Sequence, residues 1–292
     1  MKYLKINSKI TNILIYFLIS VILFAGCSAN KQASTTSNES YPSNILRVHY
    51  IDVGQGDSIL VQINNKNLLI DAGDKDHKEK LKSYLKKQGV NKLDYIVATH
   101  PHEDHIGGMA EIINNFQVGK FYAPKITSST NAFENMVDAL KKKNNKINVA
   151  KTGVSFKLDD KVECEMLAPN SSKYDDVNNY SAVIKLTYGN TKFLFTGDAQ
   201  KLSEKEILLN KSDLSCDVLK VGHHGSSTST SKEFLEKVKP KIAVISCGKD
   251  NDYGHPHKET LTSLKSINSK IYRTDLDGSI LLISDGNKVE KK

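Results

Sequence analysis

Three histidines and two acidic residues lie close together in the segment ATHPHEDHIGG, residues 98–108. Four of these side chains form the pattern H-x-H-x-D-H, and they are His100, His102, Asp104 and His105. Imidazole and carboxylate groups together suit zinc, manganese or iron. The pattern directly follows the apolar run Leu93–Ala98, so a turn after a buried strand can point alternate residues into one cavity. This arrangement predicts a metal site rather than a solvated polar loop.

Similar side chains follow three other apolar runs of the chain. They are Asp71 after Leu68–Ile70, Asp198 after Phe193–Phe195, and His223 with His224 after Asp217–Val221. Each signal is weak alone, because such residues are common in ordinary turns. Together with the H-x-H-x-D-H pattern they supply more donors than one tetrahedral ion needs. We therefore expect two ions that share one site.

Short, β-branched apolar runs bounded by turn residues predict that strands position these donors. The predicted strands are Leu46–Val53, Ser58–Ile63, Asn67–Asp71, Leu93–Ala98, Val118–Ala123, Val162–Leu167, Ser181–Tyr188, Lys192–Thr196, Asp217–Val221, Ile242–Ser246, Ile271–Arg273 and Ser279–Ile283. The helical spacing of apolar residues predicts helices over His77–Gln88, Gly108–Phe116, Ala132–Lys143, Leu202–Leu209, Lys232–Val238 and Glu259–Ile267. Mixed strands with helices on the outer faces predict a layered α/β or α+β domain.

The first 26 residues have the layout of a secretory signal. Lys2, Lys5 and Lys9 precede the apolar run Ile13–Phe24, and small residues then lead to Cys27. The run is short for a membrane span of about 20 residues. We therefore expect a lipoprotein-type signal peptide over residues 1–26, with cleavage before a lipidated cysteine. An uncleaved anchor helix is the alternative, and both interpretations place the rest of the chain outside the cytoplasmic membrane.

The remaining chain divides into a tether and one domain. Residues 28–44 are rich in Ser, Asn and Thr, a composition that cannot bury a core and predicts a flexible segment. Residues 45–292 are enough for one large domain, which we expect to be a monomer. The net charge of +8 becomes +5 when the three lysines of the leader are removed. This mildly basic balance is compatible with an anionic substrate.

Several longer segments carry a resemblance to a known family. They are HYIDVGQGDSILV (49–61), LLIDAG (68–73), THPHEDHIGG (99–108), NNYSAVIKL (178–186), FLFTGDA (193–199), DVLKVGHHGS (217–226), SCGKDNDYGHPHKETL (246–261) and YRTDLDGSI (272–280). On these residues the chain resembles the metallo-β-lactamase superfamily, and within it the ComEC-type branch, the hydrolase-like domain of competence proteins. The resemblance implies an α+β fold of the αββα type, with two mixed sheets face to face, helices outside and a two-metal site at the sheet edge.

The resemblance also implies a role for each donor. The ligands it implies are His100 and His102 for one ion, Asp104 and His105 for the second, and Asp198 for both. His223 or His224 would complete the shell of the second ion, and we favour His223 because it lies nearer the strand end. Asp71 would support the site from outside the ligand shell.

One position of the superfamily pattern has no counterpart in this chain. A further histidine usually lies between the histidine cluster and the bridging aspartate, but none occurs between His105 and His223. Asn178-Asn179-Tyr180-Ser181 occupies that region, and we expect Asn178 and Ser181 to line the site. With fewer imidazoles the ion pair would be either zinc or manganese, since manganese prefers oxygen-rich surroundings.

Three further side chains stay open between two roles. Asp57, in the GQGD segment, would either line the site or shape a turn between strands. His255 would bind phosphate or act as a general acid, or else would cap the loop that Pro256 holds. Ser226 would donate a hydrogen bond to a phosphate, or would simply lead into the next helix.

The expected chemistry is hydrolysis. Two cations about 3.5–4 Å apart lower the pKa of water and stabilise charge on the attacked group, and Asp104 or Asp198 would orient that water. We expect a phosphodiesterase, with DNA as the substrate implied by the resemblance to competence proteins. The alternatives are a hydrolase of a lactone, ester, β-lactam or cell-envelope phosphodiester, and a non-catalytic, metal-dependent DNA-binding lipoprotein. The full donor set argues against the last alternative.

Overall fold

The computed structural model describes residues 42–210 and 213–292, and the structural statements below refer to these residues. The predicted signal peptide, the lipidated Cys27 and residues 28–41 of the predicted tether lie outside this part of the chain. Within it, no helix is both long and apolar enough to span a membrane.

Fifteen strands and eight α-helices are present in the described ranges. The strands are β1 (Leu46–Tyr50), β2 (Ile59–Ile63), β3 (Lys66–Ile70), β4 (Lys92–Val97), β5 (Gln117–Ala123), β6 (Ile147–Val149), β7 (Ser155–Asp159), β8 (Val162–Ala168), β9 (Val183–Tyr188), β10 (Thr191–Phe195), β11 (Val218–Lys220), β12 (Ile242–Ile245), β13 (Lys270–Arg273), β14 (Ile280–Ser284) and β15 (Val289–Lys291). The helices are α1 (Lys78–Lys87), α2 (Glu103–Ile106), α3 (Met109–Asn115), α4 (Asn131–Lys142), α5 (Lys201–Leu209), α6 (Lys232–Val238), α7 (Lys258–Ser266) and α8 (Thr274–Asp277).

The strands form two mixed sheets. The first sheet has the order β15-β14-β1-β2-β3-β4-β5-β6, and the second has the order β13-β12-β11-β10-β9-β8-β7. In the first sheet β3 to β6 run parallel, while β1 pairs antiparallel with β2 and β14. In the second sheet β10 to β13 run parallel, while β7 to β10 are antiparallel neighbours.

Three clusters of buried apolar side chains make the four layers. The cluster between the sheets includes Tyr50, Val97, Phe193 and Phe195, all fully buried. A second cluster packs α1, α3 and α4 against the first sheet, and a third packs α5, α6 and α7 against the second. Truncating a large side chain of the central cluster, such as Phe195→Ala, is expected to cost about 3–5 kcal/mol. The predicted αββα arrangement of the α+β class is confirmed.

The strands and helices predicted from the sequence are present, with bounds that differ by a few residues. The turn between β2 and β3 forms because Asn64 and Asn65 adopt positive φ angles of 45° and 62°, which asparagine tolerates better than most residues. Five elements were not predicted: β6, β7, β15, α2 and α8. They are short or exposed, and therefore carry little apolar periodicity.

Candidate metal centre

Four strand ends bring the predicted donors together. Asp71 follows β3 and His100 follows β4, which are parallel neighbours in the first sheet. Asp198 follows β10 and His224 follows β11, which are parallel neighbours in the second sheet. Because parallel strands present their carboxyl ends at one edge, the two sheets meet here with four loops rich in donor groups.

The centre of the site is a tight group of four side chains. One ligand atom from each of Asp104, His105, Asp198 and His224 lies within 4.8 Å of all the others. The Nε2 atom of His105 is 3.3 Å from Asp198 Oδ1 and 3.3 Å from His224 Nε2. The Nε2 atom of His224 is 3.2 Å from Asp104 Oδ2. Ligand atoms about 2.0–2.2 Å from one ion at tetrahedral angles show similar separations, so these four side chains could hold one ion.

His100 and His102 form a second pair of imidazoles near Asp198. The Nε2 atom of His100 is 3.0 Å from His102 Nδ1 and 3.9 Å from Asp198 Oδ2. His100 is buried, whereas His102 is half-buried and lines the cleft beside the site. The rings of His100 and His105 lie 4.2 Å apart between centroids, so the pair His100 and His102 adjoins the group that contains His105, and both His100 and His224 face Asp198 Oδ2.

A metal ion fits this donor set on an observation independent of the sequence pattern. The Oδ1 atom of Asp198 is buried and has no hydrogen-bond partner in the described structure. His105 Nε2 lies 3.3 Å from this oxygen without a hydrogen bond to it, so the atom keeps a buried acceptor position that a cation would fill. The surrounding imidazoles and carboxylates are ligands that zinc, manganese and iron accept.

The charges of the cluster are balanced within the protein. Burial alone would lower the pKa of His105, but Asp198, Asp104 and Asp71 raise it well above its usual range. The same competition raises the pKa of His224 to about 10, against the effect of burial, because Asp198 and Asp104 face its imidazole. Burial opposes ionisation of Asp198, yet the facing His224 and His105 hold its pKa well below the usual range. Without metal, both histidines therefore carry protons at neutral pH.

Asp71 and Ser181 orient the donors from outside the cluster. Asp71 accepts hydrogen bonds from Thr99 Oγ1 at 2.7 Å and from the Thr99 backbone N–H at 2.8 Å. Its Oδ2 also lies 2.8 Å from His105 Nδ1, which directs Nε2 of that ring towards the centre. Ser181 Oγ accepts a hydrogen bond from the Asp198 backbone N–H at 3.0 Å and lies 3.4 Å from His100 Nδ1.

The two adjacent histidines after β11 differ in position. Both adopt positive φ angles, 49° for His223 and 53° for His224. His224 is buried and its Nδ1 lies 2.9 Å from the carbonyl oxygen of Ser246, which aims Nε2 at the cluster. The His223 side chain is 21% exposed, and its Nε2 is 3.6 Å from Asp198 Oδ2. The geometry thus favours His224 for the four-residue group, in contrast to the sequence-based preference for His223.

The GQGD segment both shapes a turn and supports the site. Asp57 Oδ2 is 2.8 Å from Lys220 Nζ, and Asp57 Oδ1 is 3.6 Å from His224 Nδ1. The Asp57 backbone N–H also donates to the carbonyl oxygen of Asp104. Gly56 has a φ of 138°, and a Cβ atom there would lie 2.1 Å from that same carbonyl oxygen. Only glycine permits this approach of the two loops.

Asn178 and Ser226 are less directly connected to the donors. Asn178 lies in a 3₁₀ turn over Val177–Tyr180, and its Oδ1 is buried without a hydrogen-bond partner in the described structure. The Ser226 hydroxyl lies 3.0 Å from the Thr228 hydroxyl, which in turn is 3.0 Å from His223 Nδ1. Ser226 is thus linked to His223 through Thr228 rather than to the central group.

A cleft of about 720 Å³ opens over the cluster. Asp104, Asp198, His224 and His255 line it together. The ring centroid of His255 is 6.2 Å from that of His224, and its Nδ1 is buried without a hydrogen-bond partner among the described residues. Burial, together with the facing His224 and His223, lowers the pKa of His255 to about 4. His255 therefore enters the cleft as a neutral imidazole at neutral pH.

Four residues of the site were missed in the sequence. Thr99 holds Asp71, Ser246 holds His224 through its carbonyl oxygen, and Lys220 pairs with Asp57. Tyr253 is 67% exposed at the rim of the cleft, and its ring stacks on His255 at a centroid distance of 5.6 Å. The lysine within the apolar run DVLKV is a sequence signal for a buried partner of opposite charge. No sequence signal identified Tyr253.

Residues 51–249 match the family described as the Metallo-beta-lactamase superfamily. The chain is 33% identical over 251 residues to ComE operon protein 3 of Bacillus subtilis, an alignment that covers 80% of this chain and 32% of the relative. It is also 33% identical to Competence protein ComA of Neisseria gonorrhoeae, covering 83% of this chain and 33% of the relative.

The chain thus spans about a third of the length of these curated relatives. Among solved structures, the metallo-beta-lactamase fold protein YhfI of Bacillus subtilis aligns with a TM-score of 0.56 at 12% identity. That alignment covers 82% of this chain and 99% of YhfI. At this identity the likeness concerns the fold alone, and it agrees with the two sheets and outer helices described above.

Proposed function

This chain belongs to the metallo-β-lactamase superfamily, in its ComEC-type branch, and from that premise we propose that it is a metal-dependent phosphodiesterase that cleaves DNA. The observation that carries the proposal is Asp198, whose buried carboxylate faces histidines from both sheets and leaves Oδ1 without a hydrogen bond. The named competence relatives supply the reason for choosing DNA among anionic substrates.

The proposed site holds two ions, zinc or manganese. Asp104, His105, Asp198 and His224 would hold one of them, and His100, His102 and Asp198 would hold the other. His223 is the remaining imidazole near Asp198 and faces the cleft. Bound cations would lower the pKa of water and stabilise negative charge on the attacked phosphoryl group.

The chain's own residues divide the remaining tasks. Asp104 lines the cleft, and its pKa lies below the usual range because His105 and His224 outweigh the effect of burial. Its ionised carboxylate orients the attacking water by accepting a hydrogen bond. His255 also lines the cleft, with its ring centroid 6.2 Å from that of His224, and lies where it can bind the phosphate. An anionic phosphodiester beside it favours the protonated imidazole, which then gives a proton to the leaving oxygen.

We also propose that the protein acts outside the cytoplasmic membrane, held there by a lipid on Cys27. The basic start, the short apolar run and the small residues before that cysteine support this assignment. The relation to Competence protein ComA of Neisseria gonorrhoeae is compatible with it. The membrane and an anionic polymer are thus the two proposed partners of a monomeric chain.

A substrate panel tests the proposed activity. Residues 28–292 are stripped of metal and assayed with added Mn²⁺ or Zn²⁺ on single- and double-stranded DNA, bis(4-nitrophenyl) phosphate, poly(glycerol phosphate) and a β-lactam. We expect both DNA and the small phosphodiester to be cleaved, and His102→Ala to lose that activity. Turnover of the β-lactam without cleavage of DNA under either metal would overturn the proposal. Full activity of His102→Ala would overturn the ligand assignment.

A further inference from the structure

A second concave surface is formed in part by two chain segments that also contribute to the metal cleft. Its volume is about 430 Å³. Thr127 and Val177 line the metal cleft, while Lys125 and Tyr180 line the second surface. Lys125 and Thr127 lie in one loop, and Val177 and Tyr180 lie in one 3₁₀ turn. These two segments therefore contribute residues to both concavities. At most about 7 Å of extended chain separates the Cα atoms of Lys125 and Thr127.

The second surface is basic and rich in hydroxyl groups. We call it the lysine groove and define it by Lys125, Lys151, Thr152, Ser171, Ser172 and Tyr180. The full lining of the groove has no carboxylate. Both lysines are exposed, and the described part of the chain offers neither of them an ion-pair partner. Two unpaired ammonium groups beside three small hydroxyl side chains suit an anionic ligand rich in oxygen acceptors.

The groove is built on a fixed backbone. The Thr152 backbone N–H donates to the carbonyl oxygen of Pro169 at 3.0 Å, which joins its two sides. The Ser171 backbone N–H donates to the Tyr174 hydroxyl at 2.8 Å, and the Tyr174 backbone N–H donates to the Tyr180 hydroxyl at 3.0 Å. These bonds hold the hydroxyl-bearing side of the groove in one conformation.

The metal cleft itself lacks such cations. Its lining includes acidic residues and histidines but no lysine or arginine among the described residues. A nucleic-acid strand that places one phosphate at the metal centre must therefore find compensation for the neighbouring phosphates elsewhere. The two lysines of the lysine groove supply this compensating positive charge.

We propose that the lysine groove binds the phosphodiester backbone of a nucleic-acid strand whose scissile phosphate lies in the metal cleft. The inference rests on the proposed function, since it assigns a path to the substrate of that same site. Lys125 and Lys151 each contact a phosphate, while Thr152 and Ser172 donate hydrogen bonds; the Ser171 hydroxyl already donates to the carbonyl oxygen of Lys173. Phosphate contacts of this kind position a strand without reading its sequence.

Binding and turnover are measured separately to test the groove. Fluorescence anisotropy of a labelled single-stranded 12-mer is recorded on metal-free protein, so that no cleavage interferes. We compare the wild type, Lys125→Gln/Lys151→Gln and the control Lys142→Gln/Lys143→Gln. The control removes the same charge at the far end of α4, about 18 Å along the helix from Thr130, which lines the cleft.

We expect the Lys125→Gln/Lys151→Gln variant to bind several-fold more weakly than the other two proteins. The slope of log affinity against log salt concentration should be smaller by about 1.4, the value for two phosphate contacts on a single strand. Turnover of bis(4-nitrophenyl) phosphate in the metal-loaded enzyme should be unchanged, because this small substrate does not reach the groove.

Three results would contradict the proposal that the lysine groove binds the nucleic-acid backbone. They are equal affinity and salt slope in all three proteins, no binding of DNA by the wild type, and equally tight, equally lysine-dependent binding of poly(glycerol phosphate). If the proposed phosphodiesterase activity is wrong, the experiments give a different result. In that case the loaded wild type cleaves no phosphodiester, while the anisotropy still reports whether the two lysines bind DNA.

Discussion

Lys220 Nζ lies 2.8 Å from Asp57 Oδ2, and both side chains are almost completely buried, at 0% and 2% exposure. The pair joins the two sheets directly behind His224, since Lys220 ends β11 and Asp57 lies in the loop between β1 and β2. Lys220 Nζ also donates to the carbonyl oxygen of Val221 at 2.8 Å. The pair therefore ties the backbone that carries the histidines to the loop that contacts Asp104.

Lys220→Met should destabilise the protein strongly. The variant leaves the carboxylate of Asp57 buried without its partner, a change that typically costs about 3–5 kcal/mol. Urea denaturation of the metal-free protein measures the loss. Lys241→Met is the matched control, because its pair with Asp217 has the same 2.8 Å separation but the Lys241 side chain is 80% exposed. An exposed pair of this kind contributes at most about 1 kcal/mol, so equal losses would contradict the assigned role.

The two neighbouring histidines should differ in metal binding. His224→Gln removes a side chain from the four-residue group and is expected to lower the metal content, whereas His223→Gln should retain most of it. Metal content is measured by mass spectrometry after dialysis against limiting Mn²⁺ or Zn²⁺. Circular dichroism shows whether both variants fold. A loss of metal in His223→Gln with none in His224→Gln would reverse the assignment.

Metal binding should release protons. His105 and His224 carry protons in the metal-free protein, because carboxylates raise the pKa of both, that of His224 to about 10. Ligation requires the neutral imidazoles, so log affinity should rise with pH up to about pH 10, by about one unit per pH unit for each proton released. Calorimetry in buffers of different ionisation enthalpy counts the protons. An affinity independent of pH between 7 and 9 would contradict the charge distribution described above.

The same groups predict the pH dependence of stability without metal. A histidine whose folded pKa lies above its unfolded value of about 6.5 stabilises the fold fully below that pH. The contribution of His224 should therefore be lost as the pH rises from about 6.5 through its folded pKa of about 10. Thermal unfolding of chelator-treated protein at pH 6.5, 8 and 9.5 measures this loss. His224→Gln should flatten the dependence.

His255 should matter most for substrates with a poor leaving group. As a general acid it is expected to contribute about 10²–10⁴-fold to cleavage of DNA. A nitrophenolate leaves without protonation, so His255→Gln should reduce turnover of bis(4-nitrophenyl) phosphate far less. Single-turnover rates on the two substrates give the comparison. Equal reductions on both would indicate phosphate binding rather than proton transfer.

The sequence predicts the fold well because its strands are short apolar runs closed by turn residues. The run before His100 is an example, since Leu93–Ala98 was predicted and β4 covers Lys92–Val97. The sequence does not identify β7, where SFKLD alternates polar residues with only two apolar residues, Phe156 and Leu158. Two apolar residues are too few to predict a strand, and the segment is recognised as one only from its antiparallel pairing with β8.

The donors of the site could also be predicted, but not their geometry. H-x-H-x-D-H and the aspartates at strand ends identify the residue types from chemistry alone. The inward direction of His224 depends on two consecutive residues with positive φ, and nothing in GHHG specifies which imidazole turns inward. Tyr253 reaches the cleft from a loop more than fifty residues after Asp198, a contact that only the folded chain creates.

The most direct test is DNA cleavage by metal-depleted protein as Mn²⁺ or Zn²⁺ is titrated back, with Asp198→Asn measured in parallel. We predict that the depleted wild type is inactive, that cleavage returns as the site fills, and that Asp198→Asn stays inactive at every metal concentration. Cleavage that survives depletion, or full recovery in Asp198→Asn, would contradict the account of a metal-dependent phosphodiesterase centred on this carboxylate.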